Sequence, residues 1–270
     1  MANLEFAFLK DEYKRLWDSA QVKAGHRAIC ENIAHKIIAH RATYEKIQNK
    51  TGVPWYWIGA THSLEASQNF SRHLHNGDPL TARTRQVPAN RPASGSPPFT
   101  FEESAIDALT MAPHSLHLVR DWSIERMLFE AERYNGWGYR IYHPNVKSPY
   151  LWSFTTIYHA GKYVADGKWS ASHVSTQCGF AAILKVLLPM LDKQPDIPLT
   201  DIPSGHAETT PEKLQRYLNL AGASPKLVVD GQIGPLTKQA VRQFQQRAGL
   251  AVDGIAGEKT WAALDRAVMA

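Results

Sequence analysis

The sequence is poor in the features that mark several large protein classes. It has two cysteines, Cys30 and Cys178, 148 positions apart. That is neither a disulfide framework nor a thiolate zinc pattern, and two ordinary buried thiols are the expectation. No run of about 18 apolar residues occurs, so no membrane insertion is expected. The opening stretch, MANLEFAFLKDEYKRLWD, puts charges where a secretory signal needs continuous apolar sequence, so synthesis in the cytoplasm without a leader is expected. Basic residues form no block: Arg83, Arg85 and Arg91 are the densest group, which argues against a nucleic-acid partner. The H-E-x-x-H of many zinc hydrolases is missing as well.

What remains is ample for folded domains. The 270 residues suit one large domain or two ordinary ones, at roughly 100–200 residues each. With 44% apolar and 20% charged residues the chain sits near the globular average, which excludes disorder, collagen-like repeats and coiled coil for its bulk. The net charge of +5 divides as +5 over residues 1–191, −2 over 192–207 and +2 over 208–270. So spread an excess favours approach to a polyanion without saying which one. Residues 193–206, KQPDIPLTDIPSGH, hold three prolines and no helical or strand period, which reads as a semi-extended linker. The expected organisation is a larger domain over 1–191, a linker over 192–207 and a small domain over 208–270.

Helices are expected at about 4–20, 27–49, 55–68, 101–111, 121–134 and 173–191. Thr100 with Glu103 forms a capping box, and Asp121 is a candidate N-cap. Asn69 to Pro98, rich in Gly, Pro, Thr and Asn, suits a hairpin followed by a long loop. The fold class expected is therefore mainly α: an α+β larger domain with a small β-hairpin, plus a small three-helix C-terminal domain.

The C-terminal region is a repeat. Asp230-Gly-Gln-Ile-Gly-Pro-Leu-Thr237 and Asp253-Gly-Ile-Ala-Gly-Glu-Lys-Thr260 share D-G-x-x-G-x-x-T, 23 residues apart. Asp-Gly supplies a tight turn, the second glycine stands at a helix N-cap, and Pro235 fits the first helical slot. Helix 235–248 would bury Leu236, Ala240, Val241, Phe244 and Ala248, and helix 258–267 would bury Trp261 and Leu264. A further helix, opened by Thr209 and Pro211, adds Leu214, Tyr217 and Leu218. Together with Gln215, Gly222, Gln245 and Gly249, these residues resemble the three-helix peptidoglycan-binding domain of bacterial and phage cell-wall hydrolases. The resemblance implies peptidoglycan as the partner and a wall-anchoring role. The Asp-Gly turns themselves read first as determinants of the fold.

An anchor on peptidoglycan implies that the larger domain cuts it. Amidases and wall peptidases hold a metal through His, carboxylate or Cys ligands. His73 and His75, and His114 and His117, are the close histidine pairs, and His73 and His75 would share a face on a strand. Pairs arise easily where eleven of twelve histidines precede residue 192, so no metal or other cofactor is expected. A glycan cleaver needs instead a carboxylic acid kept protonated near neutral pH. Glu65 is the one formally charged side chain between Thr51 and Ser71, and follows the aromatic trio Trp55, Tyr56 and Trp57 on an apolar helix. Such a setting raises a carboxyl pKa by desolvation.

Here His62-Ser-Leu-Glu65-Ala-Ser67, the following Phe70–Pro88 segment and Tyr134-Asn-Gly136 with Tyr139 resemble the lysozyme-like superfamily. In that superfamily a catalytic glutamate ends a buried helix and a β-hairpin follows. The Tyr-Asn-Gly stretch is similar to that of goose-type lysozymes and lytic transglycosylases, and the whole string most resembles phage and prophage lysozyme-family proteins with the same anchor. One departure is Glu65-Ala66-Ser67, where lytic transglycosylases commonly have Glu-Ser. Phage-type lysozymes place an aspartate and a threonine in the hairpin, which implies roles for Asp78 and for Thr84 or Thr81 in holding the attacking water. Asp78 before Pro79 in a Gly-containing turn is equally what turn chemistry selects. Tyr134, Asn135, Trp137 and Tyr139 are the candidate sugar-binding residues, since aromatic faces cover the C–H side of a pyranose. The expected protein is a monomeric endolysin, a muramidase with Glu65 as general acid that acts on the periplasmic or extracellular wall. A lytic transglycosylase using the same glutamate, a zinc enzyme and a non-catalytic wall binder are the alternatives.

Overall fold

In the computed structural model, which describes residues 3–165, 167–192 and 210–269, the N-terminal unit is built around two helices that have no polar face. The first is α4 (Trp55–Ala66), where every residue from Trp55 to His62 is buried. The other is α9 (Phe180–Asp192), with Phe180 to Leu184 and Val186 to Leu188 buried. A helix apolar all round belongs in a core, and Trp57 meets Phe180 there at 5.7 Å between rings. Trp57 also donates its indole N–H to the Met127 carbonyl at 3.1 Å, so its polar edge is satisfied.

Around this pair pack α1 (Phe6–Ser19), α2 (Arg27–Ala39), α3 (Arg41–Thr51), α5 (Phe101–Thr110) and α6 (Ile124–Asn135). The single helix expected over 27–49 is broken at His40, whose ψ of 14° turns α3 away from α2. Both can then lie on α4. Gly59 permits the approach: a Cβ there would stand 2.5 Å from Ile37 Cγ2. The capping box at Thr100 is present. At α6 the N-cap is Ser123, and the expected cap Asp121 instead accepts from the Ser123 N–H at 2.9 Å.

The β-structure lies elsewhere than expected. A two-stranded antiparallel hairpin forms from β1 (Lys162–Ala165) and β2 (Lys168–Ser170). Residues 70–88 instead carry one isolated bridge, Arg72 to Pro79, within a chain of turns. The helix expected over 173–191 begins only at Phe180. Two short helices, α7 (Gly138–Tyr142) and α8 (Pro149–Trp152), fill the aromatic-rich region before the hairpin.

The chain divides into the units Met1–Leu187 and Leu188–Ala270, and α9 continues past the division to Asp192. The linker expected over 192–207 lies, apart from Asp192, outside the described residues. In the C-terminal unit α10 (Pro211–Leu220), α11 (Pro235–Arg247) and α12 (Glu258–Met269) bury Leu214, Leu218, Leu236, Val241, Phe244, Trp261 and Leu264. Thr210, one residue beyond the expected Thr209, caps α10, and Ala248 is an exposed C-cap rather than part of the buried face. Each Asp-Gly turn is clamped by a buried glutamine. Gln215 Nε2 donates to Asp230, to the Gln232 carbonyl and to Thr237, while its Oε1 accepts from the N–H groups of Asp230 and Gly231. Gln245 repeats the pattern on Asp253, the Ile255 carbonyl, Thr260 and the Gly254 N–H.

Candidate functional site

Glu65 stands in the last turn of α4, and the helix stops two residues later because Ser67 takes the left-handed conformation at φ 52°. The Gln68 N–H returns to the His62 carbonyl at 3.2 Å and closes that end. His62 is held in the core by Tyr44, whose hydroxyl donates to Nδ1 at 2.9 Å, and burial lowers its pKa to about 4. It is therefore a neutral pin that fixes the turn preceding Glu65.

Burial pushes the Glu65 carboxyl up to about 7, and a hydrogen bond from the Tyr150 hydroxyl to Oε1, 2.7 Å long, offsets part of that rise. The partial negative charge of a helix C-terminus acts in the same direction as burial. Tyr150 belongs to α8, a single turn with Pro149 at its first position. Since the tyrosine proton goes to Oε1, Oε2 is the oxygen left to carry the carboxyl proton. Burial also drives the Tyr134 and Tyr150 hydroxyls well above their ordinary values, so both are neutral donors.

Glu65 opens into a cavity of about 300 Å³. Tyr134 and Asn135, at the end of α6, line it with Glu65 as the sequence predicts. Tyr134 donates to the Leu74 carbonyl at 2.9 Å and packs edge-on to Trp57. Three further polar residues, His75, Asn76 and His114, and the apolar Val87, Pro88, Ala108 and Met111 complete the wall. His114 has a buried Nδ1 without a hydrogen-bond partner, and burial lowers its pKa to about 4. Arg133, paired with the buried Glu130, fixes this region by donating to the Pro113 and His114 carbonyls.

The loop after α4 is built by side chains that replace strand pairing. Gly77, at φ +76°, lies so close to α4 that a Cβ would stand 2.6 Å from the Glu65 carbonyl oxygen. No other residue fits there without moving the glutamate. Asp78 Oδ2 accepts from the backbone N–H groups of Arg85 and Gln86, at 2.8 and 3.3 Å, and from Asn76 Nδ2 at 3.2 Å. Slight burial raises its pKa, but these donors outweigh it and hold the carboxyl below its usual value. Thr84 is buried, with its hydroxyl donating to the Pro88 carbonyl and accepting from the Arg91 N–H.

Five of the predicted residues are thus outside the wall of this cavity: Asp78, Thr81, Thr84, Trp137 and Tyr139. Asp78 and Thr84 are engaged in the loop's own bonds, and Thr81 is exposed at its surface. Trp137 packs on Phe129 at 5.3 Å. Tyr139 joins a separate aromatic cluster with Tyr163 and Trp169. The sequence reading did not single out Tyr150, Asn76 or His114 as site residues. Tyr150 is one of nine Tyr and Trp residues between positions 134 and 169, and His114 belongs to a close histidine pair, so each carries a signal without a role.

The histidine pair weighed for metal binding is instead a structural network. His73 Nδ1 faces Ser104 at 2.8 Å while its Nε2 donates to the Ala82 carbonyl at 2.8 Å. His75 Nε2 meets Asp107 at 2.8 Å, and Asp107 also pairs with Arg91. These bonds tie the loop to α5. No group of three or more His, Cys, Asp or Glu side chains with metal-site geometry occurs among the described residues.

One comparison with known proteins bears on the C-terminal unit directly. Residues 209–264 match the family model for a peptidoglycan binding domain. A zinc D-Ala-D-Ala carboxypeptidase of Streptomyces albus G is 50% identical over 46 residues, which is 17% of this chain and 18% of that protein. An uncharacterized protein from the bpoA1 3' region of Kitasatospora aureofaciens is 51% identical over 49 residues, 18% of this chain and 40% of that protein. The alignments therefore span less than half of either relative. No solved structure matches. The C-terminal unit is a peptidoglycan-binding domain, which associates the chain with the cell wall. No helix among the described residues is long and apolar enough to cross a membrane.

Proposed function

We propose that the N-terminal unit cleaves the glycan strands to which the C-terminal domain binds, as a muramidase acting on the β-1,4 bond between N-acetylmuramic acid and N-acetylglucosamine. The observation that carries this reading is the Glu65 carboxyl, half-buried at a cavity wall with its pKa pushed up to about 7 by desolvation. At neutral pH a large fraction of such a group is protonated, and it can give its proton to a glycosidic oxygen as the bond breaks. Tyr150 orients the carboxyl by holding Oε1, so the proton leaves from Oε2. Asn135 and His114 supply hydrogen-bonding groups to the sugars and their N-acetyl arms, while Tyr134, bonded to Leu74, and Asn76, bonded to Asp78, shape the wall beside them. Asp78 serves by locking the loop that carries Asn76 and Gly77. The whole is an endolysin in this reading, a lysozyme-like unit held on its substrate by the wall-binding unit.

One observation favours a second reading, a lytic transglycosylase. Glu65 is the one carboxylate among the described residues that line the cavity. A single carboxyl suffices if it acts first as acid and then as base, drawing the muramic acid's own hydroxyl onto the anomeric carbon. Mass spectrometry of peptidoglycan digested by the full chain separates the two. Reducing-end muramic acid supports the muramidase, a 1,6-anhydro product replaces it with the transglycosylase, and released amino groups without new glycan ends would defeat both.

A further inference from the structure

Cys30 and Cys178, distant in the chain, meet inside the N-terminal unit. Their Sγ atoms are 3.2 Å apart and both residues are buried. A disulfide brings the sulfurs to about 2.05 Å, so small side-chain rotations would close the remaining gap. We propose that this pair is a cross-linking site, reduced where the chain is made and oxidised to a disulfide at the cell wall, where it braces the elements behind Glu65.

Cys30 lies on the buried face of α2 with Ala34 and Ile37. Cys178 lies between two residues that hold the site from behind. Gln177 donates to the Leu64 carbonyl at 2.7 Å, the residue before Glu65. Gly179 donates to the Ser153 carbonyl at 3.1 Å and sits where a Cβ would stand 2.5 Å from the Leu151 carbonyl oxygen, next to the turn bearing Tyr150. From the other side Gln68, just past α4, donates to the Ile33 carbonyl of α2 at 3.3 Å. A bond between Cys30 and Cys178 would therefore add one covalent link to the hydrogen bonds that join α2, the end of α4 and the segment after α8. Disulfides persist in the oxidising compartments where peptidoglycan lies and are rare in the cytoplasm.

The oxidant is another disulfide, either a small-molecule one or that of a dithiol oxidoreductase. The Cys30 thiolate attacks one of its sulfurs, a mixed disulfide forms and one thiol leaves. The Cys178 thiolate then attacks the Cys30 sulfur and the second thiol leaves. Two electrons pass to the incoming disulfide, and the two protons lost by the cysteines end on its thiols. The thiol of Cys178 bonds to Cys30 and holds the Cys30 value down, which suits Cys30 as first nucleophile. Burial confines the exchange to folding or to local opening of the folded unit.

The test is to refold the reduced full chain in a buffer of reduced and oxidised glutathione, unfold it in acid, and measure mass and alkylatable thiols. The expected product is lighter by two hydrogens, has no reactive thiol, and melts about 10 °C above the same sample with dithiothreitol, because the bridge closes a very long loop. Cys30→Ser should remove the mass change and the reductant-sensitive shift together. Two alkylatable thiols after refolding would overturn the cross-link. A bridge that forms without raising the melting temperature would overturn the brace. Neither result depends on whether Glu65 cleaves glycan.

Discussion

Gln245 and Glu65 are near-isosteric side chains, both turned into protein, and their surroundings are opposite. Gln245 is 1% exposed, and its amide is bonded to Asp253, Ile255, Thr260 and Gly254. Glu65 has one hydrogen bond among the described residues, from Tyr150, and otherwise faces a cavity of about 300 Å³. A buried polar group with its partners in place fixes one backbone arrangement, whereas one left short of partners is costly to the fold and free for a ligand. The amide holds the wall-binding unit together, and the carboxyl is the group we propose as the acid.

The comparison breaks most visibly in activity. Glu65→Gln should lower the rate of glycan cleavage about 10³-fold, in the range typical of a lost general acid, while binding of the full chain to insoluble peptidoglycan stays unchanged. Its effect on stability has the other sign. The folded value of about 7 lies above the ordinary 4.5, so the contribution of Glu65 is fully present below pH 4.5 and is lost as pH rises through 7. At pH 8 the glutamine variant should be more stable than the parent by about 3 kcal/mol, and at pH 4 the two should melt together. Equal melting at both pH values would mean that the carboxyl bears no burial penalty.

Gln245→Ala tests the other side. It leaves a turn carbonyl, a carboxylate and an N–H without their partner, and should destabilise the C-terminal unit by about 2–3 kcal/mol. Thermal unfolding followed at Trp261, with retention on peptidoglycan as a second readout, checks it. A loss below about 0.5 kcal/mol, the range of ordinary surface changes, would remove the clamp from the account.

Smaller effects sharpen the site itself. Asp78→Asn should lower activity about tenfold, the effect of a loosened loop, without moving the pH profile; a loss as large as that of Glu65→Gln would return Asp78 to the role of a second catalytic carboxylate. Tyr150→Phe removes the hydrogen bond that favours the ionised carboxyl, so the alkaline limb of the activity profile should move to higher pH. A limb that stays in place would detach Tyr150 from Glu65.

How much of this was legible in the sequence follows from the range over which each feature is determined. The glutamate helix is visible because residues 51–71 hold no other charge, and the wall-binding unit because its turns recur. Tyr134 and Asn135, singled out for their position at a helix end, line the same cavity as Glu65. Tyr150 was not, because α8 is four residues long and the bond to Glu65 joins residues 85 apart. The hairpin was expected in the wrong place for a related reason. Residues 70–88 have the turn residues of a hairpin, but His73, Asp78 and Thr84 bond the backbone with their side chains instead of leaving it to pair. The actual strands, four and three residues long with a register shift inside the first between Tyr163 and Ala165, are too short to show a period of two.

The most direct measurement is the titration of Glu65 itself in the full chain, by ¹³C NMR of the side-chain carboxyl with Glu65→Gln to assign the resonance. A midpoint near 7 that rises in Tyr150→Phe is the expected result. A midpoint near the ordinary 4.5 would mean a solvated carboxylate, ionised at neutral pH, and would contradict the assignment of Glu65 as the acid.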